Sequence, residues 1–417
     1  MTAYRDTVRF LYALGNESRT ARLGLERIEA LLGELGHPER RPGIIHVAGT
    51  NGKGSTCAML ESALREAGWR TGLFTSPHLV EPTERIRIDG EPVPEEAFSR
   101  AFDQVHAAAE ALLAREAIDA HPTYFECATA MAFLVFRERE VDRVVLEVGM
   151  GGRLDATNVV TPELCVVTPV DLDHERYLGK SLRAIAAEKA GIIKPGIPVV
   201  LAEQQPEAEA VLVEQARRVG APVVRAADWQ VEELSVHARG SSFHARGYRI
   251  ECALAGRHQV ANALTALAAL DLLGVRQESI QRGIARARWP GRLEYFDGCP
   301  QILLDGAHNP AGTRALAEYL RAFCAHRRIT LIYGAMRDKA VEESAGLLFP
   351  LAEELILTAP RQARAARPEA VRDLAAHPRC RIAPDIESAF RLAGGADLVL
   401  VTGSLFLVGE ARALLVQ

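Results

Sequence analysis

The segment that most constrains the fold is the glycine-rich run Gly49-Thr50-Asn51-Gly52-Lys53-Gly54-Ser55-Thr56. It follows a short apolar segment, residues 44–48, that is typical of a buried strand, and it precedes an Ala/Leu/Glu-rich segment, residues 57–67, that predicts a helix. In such a unit, glycines let backbone N–H groups approach phosphate oxygens, and the helix N-terminus and a lysine favour negative charge. The run therefore predicts a nucleotide phosphate site.

The spacing of this run differs from the common phosphate-loop pattern G-x-x-x-x-G-K-[S/T]. The first glycine of that pattern would fall at Val47, and Gly54 separates Lys53 from Ser55. The loop is therefore not that of an ordinary phosphate-loop kinase or GTPase.

Composition narrows the class of protein. The chain has 417 residues, which suggests more than one domain, and its net charge of -5 argues against nucleic acid as a partner. Its seven cysteines include no C-x-x-C pair, which indicates a reducing compartment rather than disulfides or a zinc site. No stretch approaches the roughly 18 apolar residues of a membrane span, and the N-terminus does not resemble a secretory signal. We expect a cytoplasmic enzyme without a membrane partner, with a monomer as the default state.

Strand and helix patterns alternate over the first part of the chain, which indicates βαβ units and a mostly parallel sheet. The strand candidates are residues 44–48, 71–74, 141–148, 164–168 and 197–201. Helical patterns cover residues 95–118, 122–139, 181–193, 206–218, 257–273 and 277–287. Residues 228–254 instead predict a small antiparallel sheet on the flank of this domain.

Trp289-Pro290-Gly291-Arg292 interrupts the helical pattern, and we predict a domain boundary there, between domains 1–289 and 290–417. Beyond it the strand candidates are residues 301–305, 329–333, 353–358 and 397–401, and the helical patterns cover residues 311–325, 339–348, 368–375, 386–393 and 405–415. The expected fold is α/β throughout: an N-terminal ATPase domain of the phosphate-loop type, then a Rossmann-like domain that lacks G-x-G-x-x-G after its first strand.

Polar clusters follow several predicted strands, which is where open α/β sheets bind ligands. They are the segments 146–155, 170–174 and 188–192, which contain Glu147, His174 and Lys189. Taken singly, each has an ordinary structural explanation: a solvated edge carboxylate, a capping turn and a solvated lysine. Beside a phosphate loop that needs a hard cation, however, Glu147 could supply a carboxylate ligand. His174 could supply an imidazole, which is less usual for Mg²⁺. The pattern favours phosphoryl transfer.

Three further polar turns follow predicted strands of the second domain. They are Leu303–Pro310, Gly334–Lys339 and Val401–Leu405. Each alone is typical of helix capping, but together they would face one cleft. These turns predict a two-domain enzyme that holds its substrates between the domains.

With its motifs in this order along the sequence, the chain resembles the folylpolyglutamate synthase/dihydrofolate synthase family of the Mur ligase superfamily, from about residue 20 to the C-terminus. The resemblance rests on the segments HVAGTNGKGST, FTSPHL, TYFE, LEVGMGGRLDATNVV, LDH, AAEKAGIIKPG, GRHQVANA, PGRLE, LDGAHNP, GAMRDK and TGSLFLVG. It implies ATP-dependent ligation of L-glutamate to folates, and also to dihydropteroate, through an acyl phosphate. It also accounts for the unusual spacing of the loop.

The resemblance implies roles for individual residues. The ATP site would consist of Asn51, Gly52, Lys53, Gly54, Ser55, Thr56, Asn262, Arg292 and Asp305. Lys53 would contact the β- and γ-phosphates, and Asn262 would lie on the adenine side. Arg292 and Asp305 would hold phosphate and ribose across the domain interface. Two Mg²⁺ ions would be bound by Ser76, Glu147 and His174. Lys189 matches a lysine that relatives carry as a carbamate.

The same resemblance places the organic substrates. Thr123, Phe125 and Asp155 match positions at the pteridine site of dihydrofolate-synthesising relatives. The alternative for Phe125 is simple packing within its helix. His308, Lys339 and Ser404 are the candidates for contact with the γ-phosphate and the incoming glutamate. The predicted catalytic residues are Lys53, Lys189, His308 and Lys339.

Three alternatives stay open at this point. The first is another Mur-type amide ligase, against which Gly54 and the TYFE segment speak. The second is a nucleotide-binding regulator without ligase chemistry. The third is a plain kinase, which the loop spacing disfavours.

Overall fold

The computed structural model describes residues 2–15, 24–41, 43–337, 341–374 and 377–416. The chain forms two compact units. Unit 1 consists of Met1–Glu232, His244–Ile250 and Ala261–Ala287, and unit 2 of Glu233–Phe243, Glu251–Val260 and Arg288–Gln417.

The centre of unit 1 is an eight-stranded sheet. Its strands are β1 (Ile44–Ala48), β2 (Thr71–Phe74), β3 (Ile86–Ile88), β4 (Glu91–Pro92), β5 (Arg143–Glu147), β6 (Leu164–Val167), β7 (Val199–Leu201) and β8 (Val223–Arg225). Their order across the sheet is β4-β3-β2-β5-β1-β6-β7-β8. The six strands from β2 to β8 pair in parallel, and β3 and β4 add an antiparallel edge. The expected mostly parallel sheet is confirmed.

Helices precede, connect and follow these strands. They are α1 (Tyr4–Ala13), α2 (Glu26–Glu34), α3 (Lys53–Glu66), α4 (Glu95–Ala114), α5 (Tyr124–Glu138), α6 (Glu175–Leu178), α7 (Leu182–Ala190), α8 (Pro206–Arg218), α9 (His258–Leu272) and α10 (Gln277–Arg286). Helices α3 and α5 are buried over most of their length, which matches their apolar, alanine-rich composition. None of the helices in the described ranges is both long enough and apolar enough to span a membrane.

The segment predicted as a small antiparallel sheet forms three strands, β9 (Glu232–His237), β10 (Gly240–Ala245) and β11 (Tyr248–Cys252). They lie in the order β11-β10-β9. Connections of only two residues join successive strands, and such short connections are possible only between antiparallel neighbours. The small antiparallel sheet is confirmed.

Unit 2 contains a six-stranded sheet in the order β12-β13-β17-β14-β15-β16. Its strands are β12 (Glu294–Phe296), β13 (Gln301–Leu304), β14 (Ile329–Tyr333), β15 (Glu354–Leu357), β16 (Cys380–Ile382) and β17 (Leu398–Thr402), and its helices are α11 (Pro310–Phe323), α12 (Val341–Leu348), α13 (Pro368–Leu374), α14 (Ile386–Leu392) and α15 (Leu405–Leu415). All neighbours pair in parallel except β12 with β13. The last strand, β17, inserts between β13 and β14, which gives the expected Rossmann-like layering.

The structure corrects the sequence analysis in two respects. Helix α3 begins at Lys53 rather than at Cys57, after Gly52 in a left-handed conformation (φ 84°). The end of the glycine-rich run is therefore the first helical turn, although Gly54 disfavours helix locally. The sequence analysis also missed the helices α1, α2 and α6 and the strands β3, β4, β8, β12 and β16. Strands of two or three residues leave little periodic apolar signal, although the three-residue β7 lies within the predicted strand 197–201.

Helices α3 and α10 pack so closely at Gly283 that a side chain there would collide with backbone. A Cβ atom on Gly283 would lie 2.2 Å from the Cα atom of Ala63. Gly283→Ala should therefore lower the free energy of unfolding by about 1–3 kcal/mol, as overpacking does. Gly346→Ala is the matched control, because that helical glycine is exposed with no atom near its Cβ position. The control should raise stability by about 0.5–1 kcal/mol. Urea unfolding followed by circular dichroism measures both, and equal midpoints would contradict the close packing.

Candidate functional site

The glycine-rich loop is fixed against the end of β6. Gly49 has φ 147°, and a Cβ atom there would lie 1.8 Å from the Thr168 hydroxyl oxygen, so only glycine fits. The N–H groups of Thr50 and Asn51 both donate to the carbonyl of Pro169, at 2.9 and 3.3 Å. Because β1 and β6 are parallel neighbours, their carboxyl ends lie side by side. The sheet thus sets the position of the loop.

Two lysines donate to the same carbonyl oxygen of this loop. The Lys53 amine lies 3.1 Å from the Gly49 carbonyl oxygen and 3.2 Å from that of Thr50. The Lys189 amine, on α7, donates to the Gly49 carbonyl oxygen at 2.8 Å, and its residue is only 4% exposed. The predicted surface-lysine alternative for Lys189 is therefore wrong. The structure brings both predicted catalytic lysines of unit 1 to one point.

Burial changes the protonation of Lys189. The pKa of the amine is lowered from 10.5 to about 7, chiefly by burial and secondly by the nearby charge of Lys53, against opposing effects of Asp173 and Asp155. A substantial fraction of the Lys189 amine is therefore neutral near pH 7. A neutral amine has a lone pair and is nucleophilic.

Glu147 lies beside the loop on the neighbouring strand. It is the last residue of β5, which runs between β1 and β2, and it is 3% exposed. The backbone N–H of Ser76, just after β2, donates to the Glu147 carboxylate at 3.3 Å. Burial raises the pKa of the Cys57 thiol on α3, and the second cause is the charge of Glu147. Ser76, Glu147 and the start of α3 therefore form one cluster.

His174 lies on the other side of β1. It follows β6, is the N-cap residue of the short helix α6 with φ 51°, and is exposed. Its Nε2 atom lies 4.0 Å from the Asp173 carboxylate. The sheet order β5-β1-β6 therefore places the two predicted metal-binding residues, Glu147 and His174, on opposite flanks of the phosphate loop.

Asp155 shapes the turn that follows Glu147. One oxygen of its carboxylate accepts the backbone N–H of Met150 at 2.8 Å, and the other accepts the N–H and hydroxyl of Thr157 at 3.0 and 2.5 Å. His46, in the middle of β1, forms a hydrogen bond to the Thr157 hydroxyl at 2.9 Å, and burial lowers its pKa to about 3. The sequence analysis missed His46, although a histidine inside an apolar strand is a usable signal.

Phe125 packs against both β2 and the turn that follows Glu147. Its half-buried ring lies 5.8 Å from that of Phe74 on β2. A Cβ atom on Gly149, in the turn after Glu147, would lie 2.5 Å from the same ring. Thr123 caps α5 by accepting the N–H of Glu126 at 3.3 Å. A half-buried ring at this position is compatible with simple packing of Phe125 and with binding of a pteridine.

A polar and aromatic group next to Ser76 was not anticipated. Arg85 donates to Nδ1 of His78 at 2.9 Å, and Nε2 of His78 lies 3.1 Å from the Tyr12 hydroxyl. The Tyr12 ring stacks on Tyr124 at 5.9 Å, and Arg85 lies over the Tyr124 ring. Burial lowers the pKa of His78 to about 3. Its place in the segment FTSPHL was the available signal.

The remaining residues of unit 1 that are predicted to bind ATP also lie at the loop. Gly52 has a positive φ, and a Cβ atom there would lie 2.3 Å from the side-chain oxygen of Asn262 on α9. Asn262 is 4% exposed, and Ser55 and Thr56 are buried in the first turn of α3. The amide group of Asn262 therefore lies directly against the loop.

In unit 2, Asp305 and Arg292 lie together. The Asp305 carboxylate accepts the backbone N–H groups of Leu293 and Ala307 at 2.9 and 3.0 Å. Burial raises the pKa of Asp305, and the charge of Arg292 opposes that shift. A Cβ atom on Gly306 would lie 2.4 Å from an Arg292 nitrogen.

The turns after β13 and β17 contact each other. His308 donates from Nδ1 to the Gly306 carbonyl at 2.8 Å, because a carbonyl oxygen can only accept, so Nε2 is the acceptor atom of the ring. Ser404 caps α15 by accepting the N–H of Phe406 at 3.1 Å, and the neighbouring Gly403 donates to the Ala307 carbonyl. Lys339 lies outside the described residues.

The chain matches known families over most of its length. The Mur ligase middle domain matches residues 47–270, and the Mur ligase glutamate ligase domain matches residues 291–405. A dihydrofolate synthase/folylpolyglutamate synthase of Bacillus subtilis is 37% identical over 99% of both chains. A Mycobacterium tuberculosis folylpolyglutamate synthase complexed with ADP and AMPPCP is similar in structure, with a TM-score of 0.92, 32% identity and coverage of 100% of this chain and 98% of that one. Escherichia coli FolC in complex with DHPP and ADP has a TM-score of 0.88 at 33% identity, and the match covers 99% of this chain and 97% of that chain.

The lowered pKa of Lys189 predicts a pH-dependent stability. Between pH 7 and pH 10.5 the unfolded chain binds the lysine proton and the folded chain does not, so this group's contribution to the free energy of unfolding rises with pH, by up to about 1.4 kcal/mol per unit. The stability of the protein minus that of Lys189→Met should rise by about 2 kcal/mol from pH 7.5 to 9.5 in CO₂-free buffer. Lys180→Met, at an exposed lysine, gives the baseline. The same slope for both variants would contradict the shift.

Proposed function

Because the chain belongs to the folylpolyglutamate synthase/dihydrofolate synthase family of Mur ligases, we propose that its glycine-rich loop and the turns after β13 and β17 carry the ligation chemistry of that family. The chain is an ATP-dependent ligase that adds L-glutamate to folates and forms ADP. The observation that supports the assignment of the site is the convergence of Lys53 and Lys189 on the Gly49 carbonyl, beside Glu147.

The proposed reaction has two steps. An oxygen of the substrate carboxylate attacks the γ-phosphorus of ATP, the bond to the β-phosphate oxygen breaks, and ADP leaves. The glutamate nitrogen then attacks the carbonyl carbon of the acyl phosphate, the C–N bond forms, phosphate leaves and the amine loses a proton. The first step turns a poor leaving group into a good one, so the protein's task is to neutralise phosphate charge and to align the amine with the carbonyl.

Lys53 is proposed to contact the β- and γ-phosphates. It begins α3, whose N-terminus adds positive potential, and the backbone of the loop from Asn51 to Thr56, including Gly52, Gly54 and Ser55, supplies the cradle. Asn262 lies against Gly52 and is proposed for the adenine side. Arg292 and Asp305 are proposed for phosphate and ribose; their adjacency in unit 2 supports a joint role.

The residues present fit Mg²⁺ at the loop. The buried Glu147 carboxylate and the neighbouring Ser76 supply oxygen donors of the kind that Mg²⁺ prefers. Bound there, Mg²⁺ would neutralise phosphate charge. His174 is proposed as a ligand of a second ion, and its exposed ring on the opposite flank of the loop leaves it accessible.

Lys189 is proposed to become a carbamate. Its neutral amine attacks the carbon of CO₂, an N–C bond forms, and a proton leaves, so that a group that is cationic when protonated becomes an anion. The buried position and the lowered pKa support this step, because they supply an uncharged amine at neutral pH. The anion would lie beside Lys53, whose charge it would balance.

Substrate contacts follow the same residue matches. Thr123, Phe125 and Asp155 are proposed for a pteridine, so that dihydropteroate is a second substrate. Phe125 is half buried against Phe74 and Gly149, which leaves part of an aromatic face for a flat heterocycle. His308, Lys339 and Ser404 are proposed to contact the γ-phosphate and glutamate. The Nε2 acceptor of His308 suits the glutamate ammonium group.

Several broader properties are also proposals. A cytoplasmic location is supported by seven free cysteines, of which five are buried. A monomer is supported by the distribution of the exposed large apolar side chains over separate elements: Tyr12, Leu172, Leu234, Leu272, Leu374 and Val416. A domain division at 289/290 is supported by the change of compact unit after Ala287.

A parallel assay tests the function. With ATP, Mg²⁺ and L-glutamate, ADP release should appear with tetrahydrofolate and with dihydropteroate. Lys53→Ala should reduce turnover by about a thousandfold or more, since charge stabilisation carries most of phosphoryl transfer, with an unchanged circular dichroism spectrum. Lys180→Ala, at an exposed lysine, is the control and should keep full activity. ADP release only with UDP-linked muramyl substrates would overturn the folate assignment.

Lys189 has its own test. With ¹³C-labelled bicarbonate, the protein should show a carbamate carbonyl resonance that Lys189→Ala lacks. The same variant should lose activity, and short carboxylic acids should restore part of it by supplying the missing anion. Full activity of Lys189→Ala without additives would contradict the carbamate.

A further inference from the structure

Three metal-binding side chains lie together away from the phosphate loop. His106 and Glu110 are four residues apart on α4 and so share one helical face. His121 is in the connection between α4 and α5. One donor atom from each residue lies within 4.8 Å of the other two. We propose that His106, Glu110 and His121 bind a first-row transition-metal dication, best matched by Zn²⁺.

The tautomer of His121 is already set for metal binding. Its Nδ1 atom lies 2.8 Å from the Pro122 carbonyl oxygen, which can only accept, so Nδ1 carries the proton and Nε2 the lone pair. Metal-binding histidines are commonly oriented in this way, by a hydrogen bond from the other ring nitrogen to a carbonyl. Nε2 of His121 is buried and has no hydrogen-bond partner among the described residues.

His106 adds a second nitrogen of the same kind. Its Nδ1 atom is also buried without a hydrogen-bond partner in the described parts of the chain. Leaving one buried nitrogen atom of each ring unpaired costs free energy, which a shared cation would offset. An unpaired nitrogen alone does not make a site: Nδ1 of His46 is unpaired as well, but it belongs to no such cluster.

Aromatic side chains surround the two imidazoles. The Phe10 ring of α1 meets both rings edge-on, at 4.7 Å from His106 and 5.6 Å from His121. The Phe102 ring stacks on His106 at 5.5 Å, with an angle of 5° between the planes. These contacts hold the rings and reduce access of water. Glu110 is exposed, so an ion can enter from its side.

The donor set selects the class of metal. Two imidazole nitrogens and one carboxylate suit Zn²⁺, whereas Mg²⁺ and Ca²⁺ prefer oxygen ligands throughout. Two neutral imidazoles and one carboxylate also leave a single negative charge to offset the dication. Zinc ligands lie about 2.0–2.2 Å from the ion, so the side chains would draw together on binding, and water would fill the fourth position.

A metal here would fasten α4 to the start of α5. His121 lies two residues before Thr123, which caps α5. The site thus braces the segment that leads to Phe125 but uses none of the residues assigned to ATP or to its metal ions. The proposal is independent of the ligase function, because it concerns binding rather than turnover.

Metal binding to the full chain tests the proposal. After removal of metals with EDTA and desalting, the protein should bind one more equivalent of Zn²⁺ than His121→Gln in competition with a chromophoric chelator, and Zn²⁺ should raise its unfolding temperature. Co²⁺ should give visible absorption bands of a tetrahedral site that His121→Gln lacks. Glu110→Gln, at an exposed position that keeps the fold intact, should weaken Zn²⁺ binding by about tenfold or more.

His326→Gln is the matched control, because His326 is exposed and lies outside the cluster. It should bind Zn²⁺ and Co²⁺ as the unmodified chain does. Equal stoichiometry and equal Co²⁺ spectra for the unmodified chain and for the folded Glu110→Gln and His121→Gln variants would overturn the proposal. Absence of Zn²⁺ binding at micromolar concentration would overturn it as well.

Discussion

The carbonyl oxygen of Gly49 accepts hydrogen bonds from two lysine amines, and the arrangement of unit 1 around the loop depends on this contact. Burial lowers the pKa of Lys189 to about 7, and repulsion from the neighbouring Lys53 amine is the second cause. Lys53 is the first residue of α3, next to the loop. The same carbonyl therefore holds the Lys53 amine together with a Lys189 amine whose pKa is lowered to about 7.

The loop can serve both lysines only because it is held from two sides. Gly49 lies so close to Thr168, and Gly52 so close to Asn262, that neither position can accept a side chain. Close backbone approach of this kind is what lets N–H groups reach phosphate oxygens. The glycines are thus required by two packing contacts.

In both sheets, neighbouring parallel strands bring polar residues together at the carboxyl edge. In unit 1, the neighbours β5, β1 and β6 bring Glu147, the loop and the segment before His174 to one carboxyl edge. In unit 2, the insertion of β17 beside β13 brings the Ser404 turn against the turn that contains Asp305 and His308. Residues far apart in sequence become neighbours because parallel strands end at the same edge.

By itself the sequence determined the fold class, the phosphate loop and the family, because these depend on local patterns: apolar runs, glycine spacing and polar residues directly after strands. Most elements followed from the same patterns, whereas the helices α1, α2 and α6 and most of the two- and three-residue strands did not. The start of α3 at Lys53 was also missed, because Gly54 disfavours helix locally and tertiary contacts override that preference. Only the tertiary structure decided the state of Lys189, since burial at the Gly49 carbonyl depends on strand order. It alone brought His121 beside His106 and Glu110, because a loop residue and a helix face meet only after α4 and α5 have packed.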